Sequence, residues 1–410
     1  MGISIGLVGL GDFGRGFADF FKSHPLVDRI ALCDREPERV ERFAKKESWQ
    51  DKFDPKDAYD SLDAICESDL DALVIITQPW LHAPQCIQAM ESGKHVYSAV
   101  PIISVPDGDE ILDWCDKLVE ACKRTGLHYM LGETTYFRPQ TMYCRRKAAE
   151  GAFGHFVHSE GEYLHDVDAR CNLRQVSKRR GASKAGQEWK ELSKQYVERG
   201  VRSGPMHYPT HSTGGPISVM RAHAVKVSAW GYKHRDNDPY FTGPLSGFSN
   251  EIALFQMSNG ATMRICECRE IGHTSREMFR VYGTKASFEG DAWFTNQDRM
   301  PLTIQEMRDP LPPEVEAAFV ACRGDKGIYG GHGGSHPFLV HEFVDAIANG
   351  RTPAINVWEA ARYMAAGVMA HKSALKEGEI LDVPDWGDAP GSEQAAPVDE
   401  PPAVNAVPVA

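Results

Sequence analysis

The sequence predicts an α/β protein: an N-terminal doubly wound parallel sheet, then an α+β domain built on an open, mostly antiparallel sheet. Three observations carry that expectation. Strand-like and helix-like stretches alternate through residues 1–133, a glycine-rich turn joins the first strand to an amphipathic helix, and the rhythm then changes to neighbouring strand-like runs.

Residues 3–8 read as the first strand. Phe13, Phe17, Phe20 and Phe21 follow at helical spacing and define one apolar face. Residues 29–34 read as a second strand, and the continuous apolar run 71–77 suits a strand buried on both faces. Residues 95–101 and 128–133 supply two more, with a helix over 109–125 between them. Beyond, 138–151 reads as a helix and 155–165 as a strand. Residues 224–232, 251–257 and 261–267 are also strand-like, the last two joined by Ser258-Asn259-Gly260, a strong hairpin signal. Residues 276–289 read as one further strand, and 337–348 and 357–376 as helices. The expected division is a cofactor domain over 1–132, a substrate and oligomerisation domain over 133–385, and a Pro-, Ala- and acid-rich tail over 386–410 without periodicity.

The chain has 410 residues with 42% hydrophobic and 25% charged side chains, the make-up of a folded protein with a full core in each domain. Its net charge of −12 argues against a nucleic-acid partner, which cationic patches would have to hold. No apolar run approaches the length of a membrane span, and the N-terminus leads straight into a strand with no basic leader ahead of it. The ten cysteines are scattered without zinc-type spacing, so no metal is expected and the thiols read as reduced, in a cytoplasm. Residues 168–204 stand out, with ten Lys or Arg against four Asp or Glu. They read as a solvated helical insertion, with a lid whose cations face an anionic substrate as the alternative.

Gly9-Leu10-Gly11-Asp12-Phe13-Gly14 fits G-x-G-x-x-G between strand and helix. Glycines there allow a tight turn and close approach to a pyrophosphate on the helix N-terminus, which makes Gly9, Gly11, Asp12, Phe13 and Gly14 candidate cofactor residues. Asp34 ends the second strand twenty residues after Gly14, where a carboxylate holds the adenosine ribose diol. It favours NAD over NADP, because a 2′-phosphate would meet like charge; Arg35 beside it counts the other way. Thr77 and His82, in Thr77-Gln78-Pro79-Trp80-Leu81-His82, follow the buried strand at the carboxyl edge where such sheets bind ligands.

With these motifs, the Thr77 to His82 segment, Gly93-Lys94-His95-Val96 and Tyr282-Gly283-Thr284-Lys285-Ala286-Ser287-Phe288, the chain resembles the Gfo/Idh/MocA sugar oxidoreductases over nearly all of residues 1–385. The resemblance implies a Rossmann domain, an open-sheet domain, a carbohydrate bound between them and NAD as cofactor. Two departures separate the chain from the family's plain dehydrogenases. Ala99-Val100-Pro101 stands where they carry Glu-Lys-Pro, and His207-Tyr208-Pro209-Thr210-His211 where they carry Asp-x-Gly-x-His. The chain is most similar to the NAD-dependent glycosidase branch, glycoside hydrolase family 109, at Glu133, at Gly161-Glu162-Tyr163-Leu164-His165-Asp166, at Tyr208 to His211 and at Gly331-His332-Gly333-Gly334. By that resemblance Glu133, Tyr163, Tyr208 and His211 contact the sugar.

The chemistry of these residue types agrees. Taking a hydride from a sugar carbon needs a base on its hydroxyl, and a His titrates in the right range. Once that carbon is a ketone, the adjacent C–H is acidified and a Tyr or His can remove its proton. Loss of the aglycone, addition of water and return of the hydride complete a redox-neutral hydrolysis. The expected function is therefore an NAD-dependent glycosidase, with a sugar dehydrogenase or a non-catalytic NAD- and sugar-binding protein as alternatives, assembled as a homo-oligomer (dimer or tetramer). His211 is expected in an irregular Pro/Gly-rich segment running to Gly214-Gly215-Pro216.

Overall fold

The continuous apolar runs of the N-terminal third pair side by side in a six-stranded parallel sheet. Its strands are β1 (Ile3–Val8), β2 (Val27–Cys33), β3 (Ala58–Tyr59), β4 (Ala72–Ile75), β5 (His95–Ser98) and β6 (Tyr129–Leu131), in the order β3-β2-β1-β4-β5-β6. The order reverses at β1, which pairs in parallel with both β2 and β4; that switch point opens a crevice at the carboxyl ends of the strands. Helices α1 (Gly14–Ser23), α2 (Pro37–Ala44), α3 (Leu62–Cys66), α4 (His82–Glu91) and α5 (Gly108–Thr125) make the crossovers. Phe17, Phe20 and Phe21 are buried on α1 as their spacing predicts, while Phe13 stays partly exposed just ahead of it. The structure, a computed structural model, describes residues 2–169, 172–234, 237–324 and 327–391.

The second sheet has nine strands: β7 (Phe156–Leu164), β8 (Ala224–Lys233), β9 (Phe248–Met257), β10 (Thr262–Cys268), β11 (Arg276–Gly283), β12 (Ala286–Glu289), β13 (Ala292–Thr295), β14 (Arg299–Pro301) and β15 (Leu381–Asp382). Their order is β14-β13-β12-β11-β7-β10-β9-β8-β15, and every pairing is antiparallel except β7 with β10. The Asn-Gly hairpin joins β9 to β10 where expected. The stretch 276–289, expected as one strand, is two. The Thr284 and Lys285 N–H groups donate to the His155 and Phe153 carbonyls, which pulls the chain out of the ladder and turns it into β12.

The remaining helices are α6 (Pro139–Ala149), α7 (Leu173–Ala182), α8 (Lys184–Glu198), α9 (Thr210–Met220), α10 (Ile304–Met307), α11 (Pro313–Arg323), α12 (His336–Ala348) and α13 (Val357–Leu375). The irregular segment expected around His211 is instead helix α9, buried along its whole length. Its glycines and serines let it lie flat on the sheet and against the neighbouring helices. Pro216 has no N–H to give the Ser212 carbonyl four residues back, and β7 passes that freed oxygen so closely that a Cβ on Gly161 would stand 1.9 Å from it. Only glycine fits there.

The C-terminal helices return to the first domain. Phe20 of α1 meets Phe319 of α11 at 5.0 Å, the Leu131 N–H donates to the Ile355 carbonyl, and α13 packs on both α5 and β8. The start of the segment expected as a tail is held as well, since Trp386 donates to Asp116 and Arg362 pairs with Asp385 at 2.6 Å. Residues 392–410 of that segment lie outside the described residues. The basic segment forms α7 and α8, and α8 docks across the first domain. Trp189 lies 4.8 Å from Trp80, Glu188 pairs with Arg35 at 2.8 Å, the Tyr196 hydroxyl donates to Glu110, and Arg199 pairs with Asp107. It is thus a docked hairpin beside the crevice and not merely a solvated insertion. Among the described residues no helix is long and apolar enough to cross a membrane.

Candidate active site

At the crevice, the loop from Gly9 to Gly14 is shaped for a phosphate. Gly9 has φ +92° and a Cβ there would stand 2.3 Å from the Ile76 carbonyl oxygen; a Cβ on Gly14 would meet the Gly9 carbonyl at 2.0 Å. Gly11 faces open space instead, with nothing within 4 Å of a Cβ, and α1 starts without a side-chain cap or an acidic residue in its first turn. Free N–H groups and an unobstructed backbone are what a pyrophosphate requires. Asp34 is buried behind the loop, accepting from the N–H of Leu10 at 2.8 Å and of Glu36 at 3.0 Å. Asp12 is exposed and reaches Arg15 at 3.4 Å, and Phe13 presents its ring to His332 at 5.7 Å. Arg35 spends its guanidinium on Glu188 of α8, so in this state it ties down the hairpin.

Thr77 donates to Gln85 at 2.5 Å. His82 opens α4, fully buried; its Nδ1–H donates to the Pro101 carbonyl at 2.9 Å. Burial holds its pKa down to about 4, against the backbone hydrogen bonds to Pro101 and Thr77 that raise it, so the ring is neutral. The glycine cradle and the buried Asp34 fit a dinucleotide. Replacing Asp34 by alanine removes a charged acceptor that also braces the loop. The expected cost is about 1.5–3 kcal/mol of NAD affinity, read by calorimetric titration; an unchanged dissociation constant would refute it.

The second group lies across the crevice on the short turn after β6, on β7 and on α9. Glu133 caps that turn: its Oε1 accepts from the Thr135 N–H and hydroxyl, both at 2.8 Å, and from His211 Nδ1 at 2.9 Å, while Oε2 is buried without a partner. Burial alone would neutralise both members of this pair. The charge and hydrogen bond of His211 nevertheless hold Glu133 well below the usual carboxylate range, and the Glu133 carboxylate, helped by Glu277, raises His211 to about 9. The resting dyad is an imidazolium on a carboxylate, with Nδ1 engaged and Nε2 left as the exchangeable position.

Two tyrosine rings flank His211, Tyr163 at 5.0 Å and Tyr208 at 5.6 Å. The Tyr163 hydroxyl shares a 2.5 Å bond with His165 Nδ1, and the Arg269 guanidinium lies over its ring at 4.7 Å. Tyr208 donates to the Val100 carbonyl at 3.4 Å, so it approaches the cofactor side at the position where the resemblance led us to expect a Lys. Burial pushes both phenols up, Tyr163 well above its ordinary value, and both keep their protons at neutral pH. The structure therefore brings the sequence-predicted Glu133, Tyr163 and Tyr208 around the imidazole of the fourth, His211, although Glu133 meets that ring at Nδ1, from behind.

Other participants were not among the expected site residues, although His332 lies in a motif the resemblance rests on. Arg138 pairs with Glu277 beside His211, and the nearby charge of His211 adds to burial in lowering His332. His332 sits in a run of left-handed backbone from Gly331 to Gly334, with φ +38° at His332 itself, and its Nδ1 meets His336 Nε2 at 2.9 Å. A histidine flanked by glycines was the available signal, since a side chain is forced into that conformation only where the loop needs its place. Arg180, on the last turn of α7, adds positive potential at both His82 and Tyr208.

Residues 3–133 match the model of the oxidoreductase family with an NAD-binding Rossmann fold, and residues 318–390 match that of the glycosyl hydrolase 109 C-terminal domain. The chain is thus an enzyme with an NAD-binding Rossmann domain, similar to the Gfo/Idh/MocA oxidoreductases. Among them, the chain resembles the glycosyl hydrolase 109 branch. A glycosyl hydrolase family 109 protein of Streptomyces filamentosus is 26% identical over 407 residues, covering 94% of this chain and 77% of that one. An alpha-N-acetylgalactosaminidase of Shewanella oneidensis is 21% identical over 410 residues, covering 94% and 85%. The fold is shared with levoglucosan dehydrogenase in complex with NADH, at a TM-score of 0.70 and 19% identity over 94% of this chain and all of that one. It is also shared with scyllo-inositol dehydrogenase from Lactobacillus casei, at a TM-score of 0.64 and 16% identity over 93% and 99%.

Proposed function

We propose that the chain is an NAD-dependent glycosidase that cleaves a glycosidic bond by transient oxidation of a neighbouring sugar hydroxyl. The observation that carries this reading is the Glu133–His211 dyad set between two protonated tyrosines, with Val100 in place of a lysine. NAD, when bound by the Gly9 loop, Asp34 and the His82 edge, supplies an acceptor for a hydride that is later returned. In its neutral form, reached by releasing the Nε2 proton to solvent beforehand, His211 takes at Nε2 the proton of the hydroxyl being oxidised, and Glu133 holds the ring in place through Nδ1 and stabilises the imidazolium that results. Tyr163 takes the acidified C–H proton from the adjacent carbon and passes its own proton to His165, a role supported by their 2.5 Å bond. Tyr208 donates a proton to the departing oxygen and recovers one from the water that adds in its place. The sum is one glycoside and one water in, two hydroxyl compounds out.

The assembly inferred is a homo-oligomer. The outward face of the second sheet carries Trp230, Tyr232, Ile252 and Leu254 exposed, with Trp230 directly opposite Ile252 in the β8–β9 register; we infer that a second copy covers them. The nine described cysteines are free thiols, in keeping with a cytoplasmic enzyme.

The test is a set of aryl glycosides assayed with and without NAD in deuterated water. The expected result is phenol release over many turnovers without net NADH, and sugar product carrying deuterium on the carbon next to the one oxidised. Stoichiometric NADH from a free sugar, with no glycoside cleaved, would overturn the reading in favour of a dehydrogenase.

A further inference from the structure

Next to Asp34 stand two cations, and each already faces a carboxylate. Arg39 approaches both Asp34 oxygens at 3.4 Å, and Arg35 forms three hydrogen bonds with Glu188, at 2.8, 3.1 and 3.1 Å. An arginine beside the acid that ends the second strand of such a sheet is the group that receives the 2′-phosphate of NADP. We propose that Glu188, on the hairpin α7–α8, sets the cofactor preference: it keeps Arg35 engaged and puts a second carboxylate at the ribose edge, so that NAD is accepted and NADP refused. Asp34 discriminates from within the first domain, and Glu188 does so from the second. This preference does not depend on which reaction the bound cofactor serves.

The position of Glu188 is fixed by the fold and not by the ion pair alone. The turn between α7 and α8 closes tightly: a Cβ on Gly186 would stand 1.9 Å from the Arg180 carbonyl oxygen, and the Gly186 N–H donates to the Ser183 hydroxyl at 3.1 Å. Glu188, Trp189, Tyr196 and Arg199 then follow at spacings of one, seven and three residues, which put them on one face of α8. Their partners Arg35, Trp80, Glu110 and Asp107 follow β2, β4 and β5, so α8 runs along the carboxyl edge of the parallel sheet. Glu188 is the member at the β2 end, where the adenosine ribose belongs. The pair itself lies in solvent, with 43% of the Arg35 and 55% of the Glu188 side chain exposed, and such pairs contribute little to stability. Its effect is on charge at the ribose edge. A 2′-phosphate would have to displace the Glu188 carboxylate from Arg35 and then lie beside it, whereas the ribose hydroxyls of NAD leave the pair undisturbed.

The test is Glu188→Gln, which keeps the shape, removes the charge and leaves the other three contacts of α8 in place. NADH bound to the enzyme is followed by its fluorescence and displaced by NAD or by NADP. The expected result is displacement by NADP at about tenfold lower concentration, with a change of less than about twofold for NAD. The gain should shrink as salt is raised, and it should vanish in the variant that also carries Arg35→Ala, because the freed guanidinium is what receives the phosphate. Equal shifts for NAD and NADP would mean that the hairpin had come loose, and would overturn the assignment. So would an unchanged NADP midpoint, a gain for NADP that survives the loss of Arg35, or a parent enzyme that binds both cofactors equally.

Discussion

Replacing His211 by alanine is expected to lower kcat by about 10²–10⁴-fold, the range for losing a positioned general acid or base. The structure adds a pH signature that separates this role from simple packing. Glu133 raises the imidazole to about 9, so the neutral form that accepts a proton is scarce at neutral pH and grows as the pH rises. The parent kcat/KM should therefore climb through the neutral range and level off near pH 9. In Glu133→Gln the carboxylate no longer opposes burial, which lowers the His211 pKa, and the acid limb should move to lower pH while the plateau rate falls through lost orientation. A His211→Ala enzyme with parental kcat, or a Glu133→Gln profile that does not move, would exclude the dyad as the proton-transfer device.

Acid should unfold this protein at a mild pH. Burial holds His24 and His336 near 3 and His82 near 4, all below the ordinary 6.5. Each is neutral when folded and becomes charged in the unfolded chain. The stability that depends on their neutrality is complete above pH 6.5 and is lost as the pH falls toward 3–4. At pH 4.5 the loss is about 2–3 kcal/mol for each, or about 6–9 kcal/mol together, comparable with the whole stability of a typical domain. His211 and His371 work in the opposite sense: their raised values stabilise below 6.5 and fade at alkaline pH. Urea unfolding between pH 7 and pH 4 should show a steep decline with a midpoint between pH 4 and 5. A flat profile across that range would exclude these buried rings as the cause.

What could be read from the sequence follows from how local each signal is. The parallel sheet was legible because strands buried on both faces are continuously apolar, and the cofactor loop because its spacing and the acid at Asp34 fall within one βαβ unit. Helix α9 was not. Its Gly214-Gly215-Pro216 run carries the composition of a loop, and only burial on every side makes small residues favourable in a helix there. The β11–β12 turn depends on carbonyls in the 153–155 turn, well over a hundred residues earlier. Glu133, Tyr163, Tyr208 and His211 were reached by resemblance and residue chemistry, but their common geometry is tertiary. His332 was passed over as an active-site member because its neighbours, Phe13 and His211, are distant along the chain.

The docked hairpin α7–α8 has a consequence for how such an enzyme changes. It leaves the sheet after β7 and rejoins before α9, and it is fastened to the first domain by side-chain contacts at Trp80, Arg35, Glu110 and Asp107, outside the backbone ladder of either sheet. The proton-transfer groups stand on neighbouring pieces of chain that the hairpin does not build. A lineage can therefore rewrite the hairpin wholesale, its length and its cations included, while the reaction centre is inherited intact. Ligand preference and chemistry are then free to evolve at different speeds within one chain.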